Sequence, residues 1–233
     1  MSITLRPSAQ RGHEHHGWLN SKHSFSFGHY YDPAHMGFRS LRVINEDIID
    51  GGSGFPPHPH RDMEIISYVV EGALAHRDTT GSEGVIRRGD VQAMSAGTGV
   101  RHSEYNDLAD ERTRFLQIWI MPDAAGLAPR YADVTIPEAE KQDALRLIVG
   151  PNGSEGALGI NSDAKIYASL LGKGKSVSHK PAKGRGVWLQ LIDGELAVNG
   201  EKMAKGDGAM IEDAEEIAIT AADDSEFLLF DLA

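Results

Sequence analysis

The sequence predicts an all-β fold of antiparallel sandwiches or barrels, divided into two similar halves. Three observations indicate this fold: short runs with strand chemistry, turn residues between them, and a weak internal repeat. Glycine, proline and aspartate separate the runs, and no long helical stretches alternate with them, which argues against β/α units. The 233 residues suffice for one large β domain or two smaller ones.

Five runs rich in β-branched and aromatic residues are the clearest strand candidates. They are residues 25–27, 41–44, 65–70, 115–120 and 187–192. The dipeptide Asn199-Gly200 stands between two further runs and predicts a hairpin turn. Helix signals are weak and short, and the best candidate is the segment 137–147.

A repeated strand–turn–strand pattern relates the two halves. Gly72 and Gly194 each follow a strand-like run, and Gly89 recurs downstream as Gly206, each followed by aspartate. Prolines at positions 122 and 129 mark the predicted linker. We therefore predict an N-terminal barrel at 1–122, a linker at 123–129 and a C-terminal barrel at 130–233.

Two histidine-bearing segments in the first half carry the clearest chemical signal. Residues i and i+2 of a strand point to the same face, so His58 would lie beside His60, and His102 beside Glu104. Proline at positions 56, 57 and 59 favours an edge strand, where no ladder hydrogen bond is lost. On facing strands, the three imidazoles and one carboxylate would converge, and such a set suits a divalent metal with open positions.

The second half cannot rebuild this four-ligand site. The offsets of the first two histidines from Gly72, applied from Gly194, lead to Lys180 and Ala182. No histidine follows His179. We therefore expect one barrel to bind a metal and the other to pack against it.

Other side chains are weaker candidates. Glu64 follows His60 at an even offset and would share its face on a continuous strand, which makes it the alternative carboxylate. The cluster at positions 13–16 lacks a matching second segment, so we interpret it as surface or as a neighbour of the ligands. The other N-terminal histidines are expected to pack or to form hydrogen bonds: His23, His29, His35 and His76. Four apolar residues either line a pocket or belong to the core: Trp18, Phe25, Phe27 and Met63.

Composition excludes several classes of protein. Without cysteine there are no disulfides and no thiolate-held zinc or iron–sulfur sites. A net charge of −11, with no cluster of basic residues, disfavours direct nucleic-acid binding. We find no apolar signal core and no run of membrane-spanning length, and so expect a cytoplasmic protein without membrane contact.

The two histidine segments resemble the paired motifs of the cupin superfamily, and in detail those of the pirin family. Residues 52–72 match the cupin pattern of glycine, His-x-His, glutamate and a later glycine, and 89–106 match its partner. Ser95 in place of a proline and the longer spacing from Gly97 to His102 are typical of pirins. The resemblance covers the N-terminal half and continues more faintly to the end.

This resemblance implies a bicupin of two double-stranded β-helix (jelly-roll) barrels with few short helices. It implies one Fe(II) in the N-terminal barrel, with Mn, Co, Ni, Cu or Zn as alternatives. His58, His60, His102 and Glu104 would be its ligands, while Glu64 would lie near the metal without binding it. The most similar members are bacterial pirin-like proteins assigned as quercetin 2,3-dioxygenases.

The activity implied is cleavage of flavonols such as quercetin, or another phenol, with O2 and release of CO, by a monomer. Glu104 would assist by accepting a proton from the substrate. One alternative is a non-enzymatic iron- or redox-sensing pirin that binds a protein partner. Another is a cupin isomerase or decarboxylase, for which O2 would be irrelevant.

Overall fold

Short β-branched runs separated by tight turns give this chain an almost entirely β structure. The computed structural model describes residues 1–153 and 156–233. The strands of the first half are β1 Ser2–Arg6, β2 Gly12–His15, β3 Leu19–His23, β4 Leu41–Ile49, β5 Gly54–His60, β6 Glu64–Glu71, β7 Ala73–Asp78, β8 Glu83–Arg87, β9 Asp90–Ser95, β10 Val100–Asn106 and β11 Thr113–Ile120. Those of the second half are β12 Arg130–Thr135, β13 Arg146–Pro151, β14 Leu158–Ile160, β15 Ala164–Leu171, β16 Ser176–His179, β17 Gly186–Asp193, β18 Glu195–Val198, β19 Glu201–Ala204, β20 Gly208–Glu212, β21 Ile217–Ala221 and β22 Ser225–Leu232. Within the described ranges, the helical elements are a 3₁₀ turn at Ser8–Gln10 and helix α1 at Glu138–Lys141.

Four of the five predicted strand runs are confirmed, in β4, β6, β11 and β17. The predicted hairpin is also confirmed: Asn199 and Gly200 join β18 to β19 with φ values of 46° and 90°. Two positive φ values are the signature of a type I′ turn, whose twist matches that of the flanking strands.

Two local predictions are wrong. Residues 25–27 form no strand. Ser26 is hydrogen-bonded to the following loop instead, where its hydroxyl donates to the carbonyl oxygen of Asp32 at 2.9 Å. The helix expected at 137–147 is limited to α1. Asp143, just beyond it, takes a φ of 52°, and the chain then enters β13. That left-handed conformation ends a helix.

The strands form two pairs of sheets. One pair has the orders β12-β9-β6-β11-β4-β3-β2 and β5-β10-β7-β8, and the other has β1-β20-β17-β22-β15-β13-β14 and β16-β21-β18-β19. The two pairs correspond strand for strand except at one edge, where β2 runs antiparallel to β3 but β14 runs parallel to β13. This agreement confirms the duplicated pattern and the predicted bicupin of two jelly-roll barrels.

The two halves exchange one strand each. β1 pairs with β20 and so completes the C-terminal seven-stranded sheet, while β12 pairs with β9 and completes the N-terminal one. Each exchanged strand covers an edge that would otherwise expose unpaired backbone groups. The pairing of residues 2–6 and 130–135 thus departs from the predicted division, because each strand joins the sheet of the other half. We propose the division into 1–122, 123–129 and 130–233 with these two strands exchanged.

The seven-stranded sheets pack against each other through one shared core. Its members come from both halves, and Phe25 packs on Trp188 with ring centroids 4.8 Å apart. The central strands are buried on both faces, which explains their continuous apolar runs. The opposite face of each large sheet lines the interior of its own barrel, and the histidine segments lie inside the first one.

Candidate metal centre

Strands β5 and β10 bring the two predicted histidine segments together. They are antiparallel neighbours, and the pairing register places His102 across from His58. β5 is the edge strand of its sheet, as its prolines predict. The rings of His58, His60 and His102 lie with centroids 4.5 to 4.9 Å apart, and one ligand atom from each falls within 4.8 Å of the others.

The spacing of the ring nitrogens fits a metal ion. The Nε2 atoms of His58 and His102 are 3.0 Å apart. Nδ1 of His58 lies 2.9 Å from the carbonyl oxygen of Pro56, which only accepts, so Nδ1 carries the hydrogen and Nε2 offers a lone pair. Two metal–nitrogen bonds of about 2.1 Å at a right angle would separate the nitrogens by about 3.0 Å.

Burial keeps two of these imidazoles neutral. Burial and the neighbouring rings lower the pKa of His60 to about 4 and that of His102 to about 3. His102 is buried, while His58 and His60 are half-buried. Neutral imidazole is the form that binds metals, so near pH 7 both side chains are ready to act as ligands.

Glu104 lies beside this cluster and is held by three side chains. Ser67 Oγ and Gln92 Nε2 each donate to Oε1 at 2.9 Å, and Gln117 Nε2 donates to Oε2 at 2.6 Å. The carboxylate has a ligand atom within 4.8 Å of those of His102 and His76, in a second group of candidate ligands. No motif marks the three donors, because they come from three separate strands, β6, β9 and β11.

The alternative carboxylate is engaged elsewhere. Oε2 of Glu64 accepts a 2.7 Å hydrogen bond from Ser95, and Oε1 accepts one from Asn161 of the second half. Glu64 would share the face of His60 only on a continuous strand. The chain instead turns at Asp62, with a φ of 48°, and starts β6 at Glu64. Neither group of candidate ligands among the described residues contains Glu64.

A cavity of about 270 Å³ opens beside two of the three histidines, His58 and His60. Four half-buried aromatic side chains line it, and they meet edge to face in two pairs: Trp18 with Phe55 at 5.3 Å, and Phe27 with Trp119 at 5.2 Å. Two of them, Trp18 and Phe27, were among the four residues for which a pocket role was left open. Phe25 and Met63, the other two, pack in apolar clusters instead.

The cavity also has a polar wall on and beside β2, β3 and β4. Glu14 and His16 line it, and they come from the cluster interpreted as surface or as a neighbour of the ligands, whereas sequence reasoning missed the residues of β3 and β4. Ser21 donates to Asp47, and Nδ1 of His23 lies 2.8 Å from Asn45 Oδ1. Burial raises the pKa of the Asp47 carboxyl to about 7. These residues occupy alternate positions of strands that carry no distinguishing motif. Only the pairing of those strands in three dimensions places them at one site.

The described residues of the second barrel do not form a corresponding site. Aligned by strand pairing, Ile217 and Ile219 stand where the first barrel has His102 and Glu104. His179 stands at the position of His58, one residue from the hand-aligned Lys180. Its Nε2 lies 2.8 Å from Asp231, and the isoleucines belong to an apolar cluster. The described residues of this barrel contain no group of candidate ligands.

Comparisons with known proteins agree with this architecture. The family model described as Pirin matches residues 4–120, and that described as Quercetinase C-terminal cupin domain matches residues 147–232. Quercetin 2,3-dioxygenase from Escherichia coli (strain K12) is 46% identical over 233 residues, with 99% of this chain and 98% of that protein covered.

Solved structures give the same result. The crystal structure of YhhW from Escherichia coli superposes with a TM-score of 0.96 at 45% identity, covering 100% of this chain and 98% of that one. Bacterial pirin YhhW in complex with nickel(II), also from Escherichia coli, superposes with a TM-score of 0.94 at 45% identity and 99% coverage of both. No helix in the described residues is long and apolar enough to cross a membrane. The chain belongs to the pirin family.

Proposed function

We propose that this chain is a metal-dependent dioxygenase that cleaves flavonols such as quercetin with O2 and releases CO. One observation carries the proposal: three imidazoles converge, and two of them, His58 and His60, line a cavity together with four aromatic side chains. The cavity is close in size to a small aromatic ligand, and the nitrogen donors suit a redox-active divalent ion. The quercetin 2,3-dioxygenase of Escherichia coli supports the assignment of substrate class.

The proposed ligands are His58, His60, His102 and Glu104. Fe(II) is the favoured ion, and Mn, Co, Ni, Cu or Zn would accept the same donors. The nickel(II) complex of a 45% identical pirin supports a divalent ion. When bound, the metal supplies the positive charge that stabilises a deprotonated flavonol hydroxyl and open positions for substrate or O2.

Glu104 is the proposed acceptor for the proton of that hydroxyl. It is 1% exposed, lines the cavity and has its two oxygens fixed by hydrogen bonds from Ser67, Gln92 and Gln117. A carboxylate bound to a dication is a poor base, so the proposed role of Glu104 is to hold and steer the proton rather than to drive its removal. Fixed donors also keep the carboxylate in place while the substrate enters.

The aromatic walls bind the flat rings of the substrate and exclude water. Trp119 meets His60 edge to face at 4.9 Å, which places an aromatic wall directly beside the proposed metal ligands. Trp18 and Phe55 form the opposite pair, close to His58. Aromatic contacts of this kind contribute about 0.5–1.5 kcal/mol each beyond the area they bury.

Three further properties stay predictions: a cytoplasmic location, a monomeric state and no direct contact with nucleic acid. The net charge of −11 supports the last of these. Size-exclusion chromatography with light scattering tests the monomer, and a gel-shift assay tests nucleic-acid binding.

The function is tested with protein purified without a histidine tag and loaded with Fe(II) or Ni(II). We expect O2 uptake and CO release in equal amounts when quercetin is added, and no turnover under anaerobic conditions. The variants His58→Ala and His102→Ala should lose both metal and activity. Carbon monoxide released equally without O2, or quercetin left intact by metal-loaded protein, would contradict the proposal.

A further inference from the structure

A chain of hydrogen-bonding groups leads away from the proposed ligand His102. Its Nδ1 lies 3.4 Å from Nδ1 of His76, and Nε2 of His76 lies 3.0 Å from Oδ2 of Asp78. β7 pairs with β10 so that these residues are neighbours across the two strands. The side chains of His76 and Asp78 are 0% and 1% exposed, so water does not compete for the contacts.

The other oxygen of Asp78 fixes the state of its carboxyl group. Oδ1 accepts three hydrogen bonds, from the backbone N–H of Thr80 at 2.8 Å, from the Thr80 hydroxyl at 2.6 Å and from the backbone N–H of Ser82 at 3.2 Å. Burial acts to raise the pKa of Asp78, but the hydrogen bonds from Thr80 and His76 outweigh it and lower the pKa. The group is therefore an ionised carboxylate, which can only accept.

The direction of each hydrogen bond follows from that carboxylate. Nε2 of His76 must carry a hydrogen to donate to Asp78, so Nδ1 of the neutral ring is an acceptor. Nδ1 of His102 must then carry the hydrogen shared with His76. Nε2 of His102 is left with a lone pair, and it is this atom that lies 3.0 Å from His58.

A residue from the exchanged strand β12 holds the middle of this chain. The ring of Tyr131 stacks on that of His76, with centroids 4.4 Å apart and planes 15° from parallel. Its hydroxyl donates to Gln92 Oε1 at 3.1 Å, and Gln92 in turn donates to Glu104. β12 thus contacts His76, which adjoins His102, and Gln92, which holds Glu104.

We propose that Asp78 and His76 are a positioning pair that fixes the tautomer of His102, so that its Nε2 lone pair faces the metal. The inference rests on the proposed metal role of His102. Most metal-binding histidines donate their second N–H directly to a carboxylate, a carbonyl or water. Here a second, buried histidine, His76, stands between the carboxylate and the proposed ligand. The stacked ring of Tyr131 holds His76 in its orientation.

The isosteric variant Asp78→Asn tests the proposal most sharply. Three donors hold Oδ1, so the new amide nitrogen must take the place of Oδ2 and donate to Nε2 of His76. Both imidazoles would then reverse their tautomers, and the hydrogen on Nε2 of His102 would face the metal. We expect Ni(II) affinity, measured by titration of the metal-free chain, to fall roughly 10- to 100-fold.

Nitrogen-15 NMR of the metal-free protein reads the tautomer directly, with His102 assigned from a His102→Gln spectrum. The hydrogen should lie on Nδ1 in the wild type and on Nε2 in Asp78→Asn. The matched control is Asp32→Asn, which alters a similar pair, since Asp32 Oδ2 lies 2.7 Å from His35 Nδ1 outside the cavity. The control should keep wild-type Ni(II) affinity.

A second pair of variants at position 76 tests the same point if Asp78→Asn is unstable. His76→Asn keeps an acceptor oxygen near the position of Nδ1, whereas His76→Leu removes it. We expect Ni(II) affinity to be closer to wild type in the asparagine variant than in the leucine variant. Equal losses in the two would contradict a role through the hydrogen bond.

The inference is overturned if Asp78→Asn binds Ni(II) within about twofold of wild type, with the hydrogen of His102 still on Nδ1. Failure of the proposed function gives a different result. Wild-type protein that binds Ni(II) with the expected tautomer but leaves quercetin intact would contradict the dioxygenase and support the positioning pair. Wild-type protein that binds neither Ni(II) nor Fe(II) would overturn both.

Discussion

His179 in the second barrel occupies the position that His58 occupies in the first. Each histidine is paired with the equivalent residue of its antiparallel neighbour strand. Opposite His58 is His102, and opposite His179 is Ile217. The duplicated fold thus keeps one histidine in both halves, while isoleucine replaces its partner in the second. His179 instead forms a 2.8 Å contact with Asp231.

The first prediction concerns metal stoichiometry. The wild type should bind one Ni(II) per chain, and His179→Ala should keep that ratio because no group of three candidate ligands among the described residues includes His179. The matched variant His58→Ala should bind less than a tenth as much at the same free Ni(II). Elemental analysis after gel filtration measures the Ni(II) content of both variants. A loss of metal in His179→Ala would contradict the placement of the metal site in the first barrel.

The second prediction concerns the pH dependence of stability. Burial raises the pKa of Asp47 from 3.8 to about 7, so the folded state binds a proton that the unfolded state releases between those values. The contribution of Asp47 to stability is therefore fully present below about pH 4 and is lost as pH rises towards 7, by a few kcal/mol at most. Asp47→Asn removes this dependence.

Urea unfolding at pH 5 and pH 8 provides the test. The free energy of unfolding of Asp47→Asn relative to wild type should be higher at pH 8 than at pH 5. A difference between the two proteins that does not change with pH would show that Asp47 titrates normally.

The third prediction concerns substrate binding. Trp18→Leu removes one aromatic wall without touching the proposed ligands, so quercetin should bind about three- to tenfold more weakly. Fluorescence titration measures the Kd, and metal content should be unchanged. The control Tyr105→Leu changes an aromatic residue that is 38% exposed and lies outside the cavity. Equal affinities for Trp18→Leu and wild type would mean that flavonols do not occupy this cavity.

The fourth prediction concerns the contact between the barrels. The hydroxyl of Tyr68 donates to Oε1 of Glu226 at 2.7 Å, and both side chains are buried. Tyr68→Phe leaves that carboxylate oxygen without its donor, which should lower the free energy of unfolding by roughly 1–3 kcal/mol. The control Tyr31→Phe changes a tyrosine that is 73% exposed and should have no measurable effect. Unfolding in urea compares the two variants.

The site could be predicted from sequence where its chemistry follows strand alternation. His58 and His60 share a face of β5, and His102 faces them from β10, as the two-residue spacing indicates. Glu64 shows the limit of that rule, because the chain turns at residue 62, with a positive φ, between β5 and the strand that carries Glu64. Alternation predicts faces only within one uninterrupted strand.

The supports of the site could not be predicted in this way. His76 and Tyr131 lie on strands that are far apart in sequence, and their stacking depends on β12 crossing to the N-terminal sheet. The exchange of β1 and β12 has no local signal, since any strand with the right alternation can complete an edge. The polar wall around Asp47 could not be predicted for the same reason. In the sequence its residues have no distinguishing motif, and only the pairing of their strands brings them together.

The central claim is that one divalent ion is held jointly by the imidazoles of the first barrel. Anomalous diffraction at the nickel absorption edge, from crystals of this chain grown with Ni(II), tests it most directly. We predict a single anomalous peak within bonding distance of His58, His60 and His102. A map without a peak there, or with the strongest peak at another set of residues, would contradict it.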